Sequence, residues 1–410
     1  MIGLISRHSV YNGHMEPRNA IMAISAAVIL SACRTPVKQK ELSLWVVPDL
    51  HYLSTQLYRE DSASFQKLLG SNDGKMIEQM PEVLEDLKTQ ALSSRPDLIL
   101  VPGDLTLNGE YESLLELKSL FHGLKEEGIE VIVIPGNHDI NYPMAYDLNG
   151  DVVFGIRNIS QADFTDLMKE FGYENSRSHA EDSFSYTYEA AEDLWILALD
   201  TNTEAAPGYL TDQTMAWAEA QLQYAQEHDI KVISMTHQNV LKQSEFLYQG
   251  FIINNAESAE QLLKQHGVRL NLSGHSHLQH TAVSESLTDI CTESSAVWPL
   301  SYGVVSISAD HTDLAYAKQL FNVDQTAAEQ RLDLAINRQI IPTLQELGLS
   351  EETITAMHAF AAQLNKAYYT GQITDSEEYR RSEAWALWKQ YGTETRWYPY
   401  FERILEEYSK

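Results

Sequence analysis

Five short apolar runs, each stopping at polar residues that can ligate a metal, constrain this chain more than any other feature. Leu44-Trp45-Val46-Val47 runs into Pro48-Asp49-Leu50-His51, and Leu98-Ile99-Leu100-Val101 into Pro102-Gly103-Asp104. Val131-Ile132-Val133-Ile134 is followed by Pro135-Gly136-Asn137-His138-Asp139, and Val232-Ile233-Ser234-Met235 by Thr236-His237. Val268-Arg269-Leu270-Asn271-Leu272 leads into Ser273-Gly274-His275-Ser276-His277. Short apolar runs of this kind read as buried strands. Between the second and third, Tyr111 to Glu127 carries apolar residues at helical spacing (Leu114, Leu115, Leu117, Leu120, Phe121, Leu124), which supplies a βαβ crossover. Strands joined in this way run parallel and bring their carboxyl ends to one sheet edge, where α/β proteins bind ligands. The expected class is α/β.

Asp49, His51, Asp104, Asn137, His237, His275 and His277 offer oxygen and nitrogen donors without sulfur, a set suited to Mn, Fe or Zn. Seven donors exceed one tetrahedral ion and suffice for two divalent ions if a carboxylate is shared. Asp104 is the natural bridge, because Gly103 lets the backbone turn tightly beside the metals. Two such ions clamp a water and lower its pKa while neutralising charge on a phosphate. The charge balance gives this weight: 29 Lys+Arg against 58 Asp+Glu leave a net charge of -29. A surface that acidic repels a phosphate backbone and argues against general nucleic-acid binding. A small anionic substrate would need a local positive field, which metal ions provide. Two cysteines, Cys33 and Cys291, exclude both a disulfide framework and a four-cysteine zinc module.

In order, these motifs (D-x-H, G-D, G-N-H-D, a lone His and G-H-x-H) resemble the calcineurin-like metallophosphoesterase superfamily across roughly residues 42 to 280. The resemblance implies a four-layer α/β/β/α sandwich of two mixed sheets. It implies that Asp49, His51 and His277 hold one metal, that Asn137, His237 and His275 hold the other, and that Asp104 bridges. His138 would stand at the substrate's leaving oxygen, oriented by Asp139. Gly103-Asp104-Leu105-Thr106-Leu107-Asn108-Gly109 lacks the Asp-Arg pair of the phosphoprotein phosphatases, and Leu107 stands where purple acid phosphatases place a Tyr. The motifs look most like the class III cyclic-nucleotide phosphodiesterase branch. The expected activity is hydrolysis of a phosphodiester, a 3',5'-cyclic nucleotide first. The alternatives are a phosphomonoesterase or nucleotidase scavenging phosphate, and a non-catalytic metal-binding surface lipoprotein. His280, just past the last motif, reads as structural.

At the amino terminus Ala20 to Leu30 is an apolar stretch preceded by Arg18, too short to span a hydrocarbon core of about 20 residues. Leu30-Ser31-Ala32-Cys33 resembles the lipobox of bacterial lipoproteins, which implies cleavage before Cys33 and lipidation of its thiol. Met15 to Cys33 makes a typical leader, whereas residues 1–14 fit no signal region, so Met15 is a second candidate start. The expected organisation is a signal peptide over 1–33, a tether over 34–41, a catalytic domain over 42–321 and a helical domain over 322–410. The chain would then be lipid-anchored to a bacterial membrane on its extracytoplasmic side.

The carboxyl-terminal region reads as three or four helices. Ala327 to Ile340 has helical spacing that Pro342 should interrupt, and Gln325 to Gln330 should mark the domain boundary. Ser350 is an expected N-cap and Thr374-x-x-Glu377 an expected capping box. The arrangement resembles the helical extension of some secreted bacterial cyclic-nucleotide phosphodiesterases. Trp385, Trp388 and Tyr391, three apart, should share a helix face that packs in a core.

Overall fold

The computed structural model describes residues 40–71 and 73–409. The expected signal peptide, Cys33 and all but the last two residues of the expected tether lie outside them. The five runs become β1 (Leu42–Val46), β2 (Leu98–Pro102), β3 (Glu130–Ile134), β4 (Lys231–Thr236) and β5 (Leu270–Ser273). They divide between two sheets instead of sharing one edge. A five-stranded sheet has the spatial order Leu314–Leu320, Ser301–Ile307, β1, β2, β3, with β1, β2 and β3 parallel and Ser301–Ile307 antiparallel to both of its neighbours. A seven-stranded sheet has the order His280–Ser284, Leu287–Cys291, β5, β4, Leu194–Leu199, Tyr186–Ala191, Ser178–His179. In it β4 lies parallel to both β5 and Leu194–Leu199.

Helices α1 (Met80–Ser94) and α2 (Tyr111–Glu126) cover the first sheet, and α3 (Asp212–Glu227) and α4 (Ala256–Gln265) cover the second. Strand alternation builds this four-layer sandwich. In Leu194–Leu199, Leu194, Ile196 and Ala198 join Val46, Leu100 and Ile132 in the core between the sheets. Leu197 and Leu199 point the other way, onto Leu222 of α3 and Leu263 of α4. A strand buried on both faces carries no polar register, which is why these runs are almost uniformly apolar.

Five helices complete the chain: α5 (Gln325–Glu346), α6 (Glu351–Tyr369), α7 (Ser376–Arg381), α8 (Glu383–Tyr391) and α9 (Trp397–Glu407), more than the three or four expected. Pro342 does not interrupt α5. Ile340 and Leu344, on either side of it, are both buried in the helical core, and that packing holds the last turn across the missing N–H. Gln325 to Gln330 forms the first turns of α5, capped by Asp324. Ser350 caps α6 as expected. The cap of α7 is Asp375, one residue beyond Thr374, because its carboxylate accepts the Glu377 N–H at 2.9 Å. Trp385 and Trp388 are buried, and the Trp388 indole donates to the Met357 carbonyl (2.9 Å), so this aromatic stripe is core packing. Tyr391 at the end of α8 is more than a third exposed.

The end of α6 sits against the loop that follows β5. The Gln279 N–H donates to the Tyr369 carbonyl (2.7 Å). His280 sets its two ring nitrogens against the carbonyls of Tyr368 (2.7 Å) and Gln243 (3.0 Å), a structural role. Gly371 approaches so closely that a Cβ there would lie 2.3 Å from the Gln279 carbonyl oxygen. Among the described residues no helix is long and apolar enough to cross a membrane.

Candidate metal centre

The carboxyl ends of β1, β2 and β3 meet those of β4 and β5 across the gap between the sheets, and the loops after them bend sharply. Asp49, His51, Asp104, His275 and His277 all have φ between 42° and 68°, the left-handed region that L residues rarely adopt. Five strained residues in one cluster mark a site whose geometry the surrounding structure enforces. Glycines make the close approach possible. A Cβ on Gly136 would lie 2.2 Å from the Asp104 carboxylate, one on Gly103 2.5 Å from the His237 ring, and one on Gly274 2.5 Å from the Asp49 carboxylate.

Two groups of donor atoms result. Asp49, His51, Asp104 and His277 bring one atom each within 4.8 Å of one another, and so do Asp104, His237 and His275. Asp104 belongs to both. Its carboxylate stands 3.6 Å from His51 Nε2 and 3.3 Å from His237 Nε2, while accepting the backbone N–H of His138 at 2.8 Å. His51 and His277 point their Nε2 atoms at each other across 3.0 Å. Asn137 Oδ1 lies 3.0 Å from His237 Nε2, which brings the seventh predicted donor to the second group. His237 donates from Nδ1 to the Pro102 carbonyl (2.8 Å), and His275 from Nε2 to the Gly250 carbonyl (2.8 Å). Each bond fixes a tautomer and leaves the other ring nitrogen for a cation.

The electrostatics are those of a site awaiting positive charge. Burial drives His51 well below the usual imidazole range, with the Lys75 ammonium adding to it. Burial also lowers His275 to about 4 and His277 to about 3. These rings are therefore neutral, with lone pairs to offer. Burial opposes ionisation of Asp104, but His237, together with His51 and His138, outweighs it and holds the carboxyl well below the carboxylate range. Burial pushes Asp49 up to about 8, with the Asp104 charge contributing. His237 is lifted to about 9 against burial, by Asp104 and Asp49. Converging neutral imidazoles and buried carboxylates, all oxygen and nitrogen donors, fit two divalent cations that share Asp104.

His138 lies beside this cluster, its ring centroid 5.0 Å from that of His51. Asp139 does not orient it. His138 Nδ1 donates to the Leu107 carbonyl (2.8 Å), with Asn108 Oδ1 at 3.3 Å. The buried Asp139 carboxylate instead accepts from the N–H groups of Leu105, Thr106 and Gly136 and from the Thr106 hydroxyl, at 2.8 to 3.1 Å. It ties the loop after β2 to the loop after β3, a positioning role, since backbone amides in a sharp turn need an acceptor and an adjacent ring does not.

Two participants escape the motif reading. Tyr142 stacks on the His138 ring with centroids 4.3 Å apart. Asp289 accepts from the side chains of Asn271 (2.9 Å) and Ser273 (2.8 Å) and from the Val240 (2.7 Å) and Leu241 (2.9 Å) amides, holding the loop after β4 to strand β5. An acidic residue within the apolar strand Leu287–Cys291 was the available signal for it.

The sequence profile described as calcineurin-like phosphoesterase matches residues 42–279, more than half the chain. A second, described as the C-terminal domain of cyclic nucleotide phosphodiesterase, matches residues 314–410. A search of curated protein sequences finds no match. Among solved structures, a dimetal phosphatase from Danio rerio is 14% identical with a TM-score of 0.51, covering 68% of this chain and 95% of its own. A putative 5'-nucleotidase from Staphylococcus aureus is 12% identical with a TM-score of 0.41, covering 72% of this chain and 58% of its own.

In the metal-free protein at pH 7, Asp49 and His237 hold protons that must leave before cations enter. Cation uptake should therefore release about two protons at pH 7 and weaken as pH falls. Mn²⁺ titration calorimetry in buffers of different ionisation enthalpy measures this; heats independent of the buffer would contradict it.

Proposed function

Because the chain belongs to the calcineurin-like phosphoesterase family and is a metal-dependent phosphoester hydrolase, we propose that it acts on phosphodiesters, 3',5'-cyclic nucleotides first among them, outside the cytoplasm. The observation that carries this is the double membership of Asp104, whose one carboxylate serves both donor groups. Asp49, His51 and His277 complete one cation site, and Asn137, His237 and His275 the other. Bound there, two divalent ions (Mn, Fe or Zn) supply an activated water and neutralise charge on the phosphoryl oxygens.

The protein's own residues do the rest. Asp104 and Asp49 would bring negative charge to balance the cations, and the neutral histidines would bring none. The Leu107 carbonyl keeps a proton on His138 Nδ1, which leaves Nε2 as the nitrogen that exchanges protons: as the imidazolium, His138 would give its Nε2 proton to the departing oxygen and return to the neutral Nδ1–H form. Stacking on Tyr142 and the backbone bond to Asp104 limit how that ring can swing. The match of the last hundred or so residues to a cyclic nucleotide phosphodiesterase domain supports the choice of diester over monoester.

With Mn²⁺, kcat/KM should be higher on 3',5'-cyclic AMP than on 5'-AMP in steady-state assays. A clear preference for the monoester would replace this reading with a scavenging phosphatase. His138→Ala should keep full metal content by elemental analysis and lose about 10²- to 10⁴-fold in kcat. Undiminished turnover would remove His138 from its role.

The location rests on the apolar run ending at Leu30-Ser31-Ala32-Cys33. Lipidated there, the protein sits on the outer side of a bacterial membrane. Cys33→Ser should move it from the membrane fraction to the soluble one while leaving activity intact, and an unchanged distribution on fractionation would refute the anchor.

A further inference from the structure

The chain that leaves β4 does not pass straight from His237 into α4. Residues 238–255 first run out to the helical region and then come back to the metal centre, as a strap between the two. Both limbs of the strap are fixed to the body. The Asn239 side-chain amide donates to the Ser273 hydroxyl (2.9 Å), and the Val240 and Leu241 amides donate to Asp289. The returning limb pairs with the outgoing one: the Asn239 N–H donates to the Phe251 carbonyl and the Ile253 N–H to the Asn239 carbonyl, both at 3.0 Å.

The apex is held by the helical region. Glu407, at the end of α9, accepts from the Ser244 hydroxyl (2.8 Å) and the Glu245 amide (2.6 Å) with one carboxylate oxygen, and from the Tyr368 hydroxyl of α6 (3.0 Å) with the other. The Ser244 oxygen in turn accepts the N–H groups of Phe246 (3.3 Å) and Leu247 (3.1 Å), which closes a tight turn. One hydroxyl thus shapes the apex and docks it on α9. Phe246 then packs among the rings of the helical core, its centroid 5.7 Å from that of Tyr400 and 6.2 Å from that of Tyr368. Leu247 joins the same core.

A few residues on, the strap reaches a metal ligand. The Tyr248 carbonyl accepts from the N–H groups of Phe251 (3.0 Å) and Ile252 (3.2 Å), so the chain reverses at Gly250, whose carbonyl accepts the His275 Nε2–H at 2.8 Å. Gly250 has φ +84°, yet a Cβ there would meet nothing within 4 Å. The turn asks for glycine, not a lack of room, and the turn is what aims the carbonyl at the imidazole. Of the two histidines in this donor group, His237 is fixed by the Pro102 carbonyl at the end of a sheet strand, whereas His275 leans on the strap. The His275 backbone N–H meanwhile donates to Asp49 (3.0 and 3.1 Å), a bond that does not depend on how its ring is turned.

We propose that the strap orients His275 for its cation and that Glu407 is the positioning residue through which the helical region holds the strap. Occupancy of the site formed by Asn137, His237 and His275 then depends on a contact made by α9, while the site formed by Asp49, His51 and His277 does not. The proposal rests on the reading of the two donor groups as two cation sites, and not on which ester is hydrolysed. It gives the helical region a task at the metal centre, carried by hydrogen bonds that can be followed from Glu407 to the imidazole.

The test is Mn²⁺ calorimetry with elemental analysis on the full chain, alongside hydrolysis of bis(p-nitrophenyl) phosphate as Mn²⁺ is raised. Wild type should take up two ions. Glu407→Ala should weaken one of them about tenfold and leave the other within about twofold. Its turnover should fall at low Mn²⁺ and return to within about threefold of wild type at saturation. Glu407→Gln keeps an oxygen for Ser244 and Glu245 and should restore the weakened affinity to within about threefold. Ser244→Ala and Gly250→Ala break the path at its apex and at its far end, and both should show the same split, whether or not Glu407→Ala folds. Trp388→Phe loses the indole bond to Met357 inside the helical core and should lower Tm with both affinities unchanged. Equal weakening of both ions, wild-type affinities in Ser244→Ala and Gly250→Ala, or the same split in Trp388→Phe would overturn the positioning role. Wild-type protein that binds a single Mn²⁺ would instead sink the two-cation reading, and the proposal with it.

Discussion

The Asp104 carboxylate meets His237 and the His138 amide at one oxygen and His51 at the other, so that one side chain serves residues from three strand ends. Such a convergence demands that donor side chains come within 2.2 to 2.5 Å of where a Cβ would stand, at Gly136, Gly103 and Gly274. It also demands left-handed backbone at five of the seven donor residues, a conformation costing on the order of 1 kcal/mol or more each. The two sheets, packed through a common apolar core, supply the rigidity that holds this strain.

Much of the site was legible because its signal is local. A run of buried strand followed by Gly or Pro and then Asp, Asn or His places a donor at a strand end whichever sheet the strand joins. Which sheet it joins is not local. Val131 to Ile134 is wholly apolar and Val232 to Met235 is apolar but for the buried Ser234, and nothing in either run names its neighbour. The same limit explains the role of Asp139. Side-chain identity suggested a partner for the adjacent imidazole, but the competing acceptors were the Leu107 carbonyl, which every residue has, and the donors were amides of a turn.

The helical region shows where local rules compete. Thr374 and Asp375 both offer cap chemistry, and the carboxylate one position later takes the amide. Pro342 breaks a hydrogen bond that the buried neighbours Ile340 and Leu344 make dispensable. The stripe of Trp385 and Trp388 followed the commoner outcome for aromatic residues at helical spacing, filling a core of its own together with Phe360, Phe401 and Leu364.

The contact of Gly371 with the Gln279 carbonyl has a bearing on how such an architecture can be rearranged. Two residues beyond His277, main chain touches main chain, leaving no side chain through which a different appendage could be accommodated. Exchange of the helical portion for an unrelated module would leave a gap beside the last metal-binding loop, or force that loop to move. In this chain the helical portion and that loop are therefore fitted to each other at the level of the backbone.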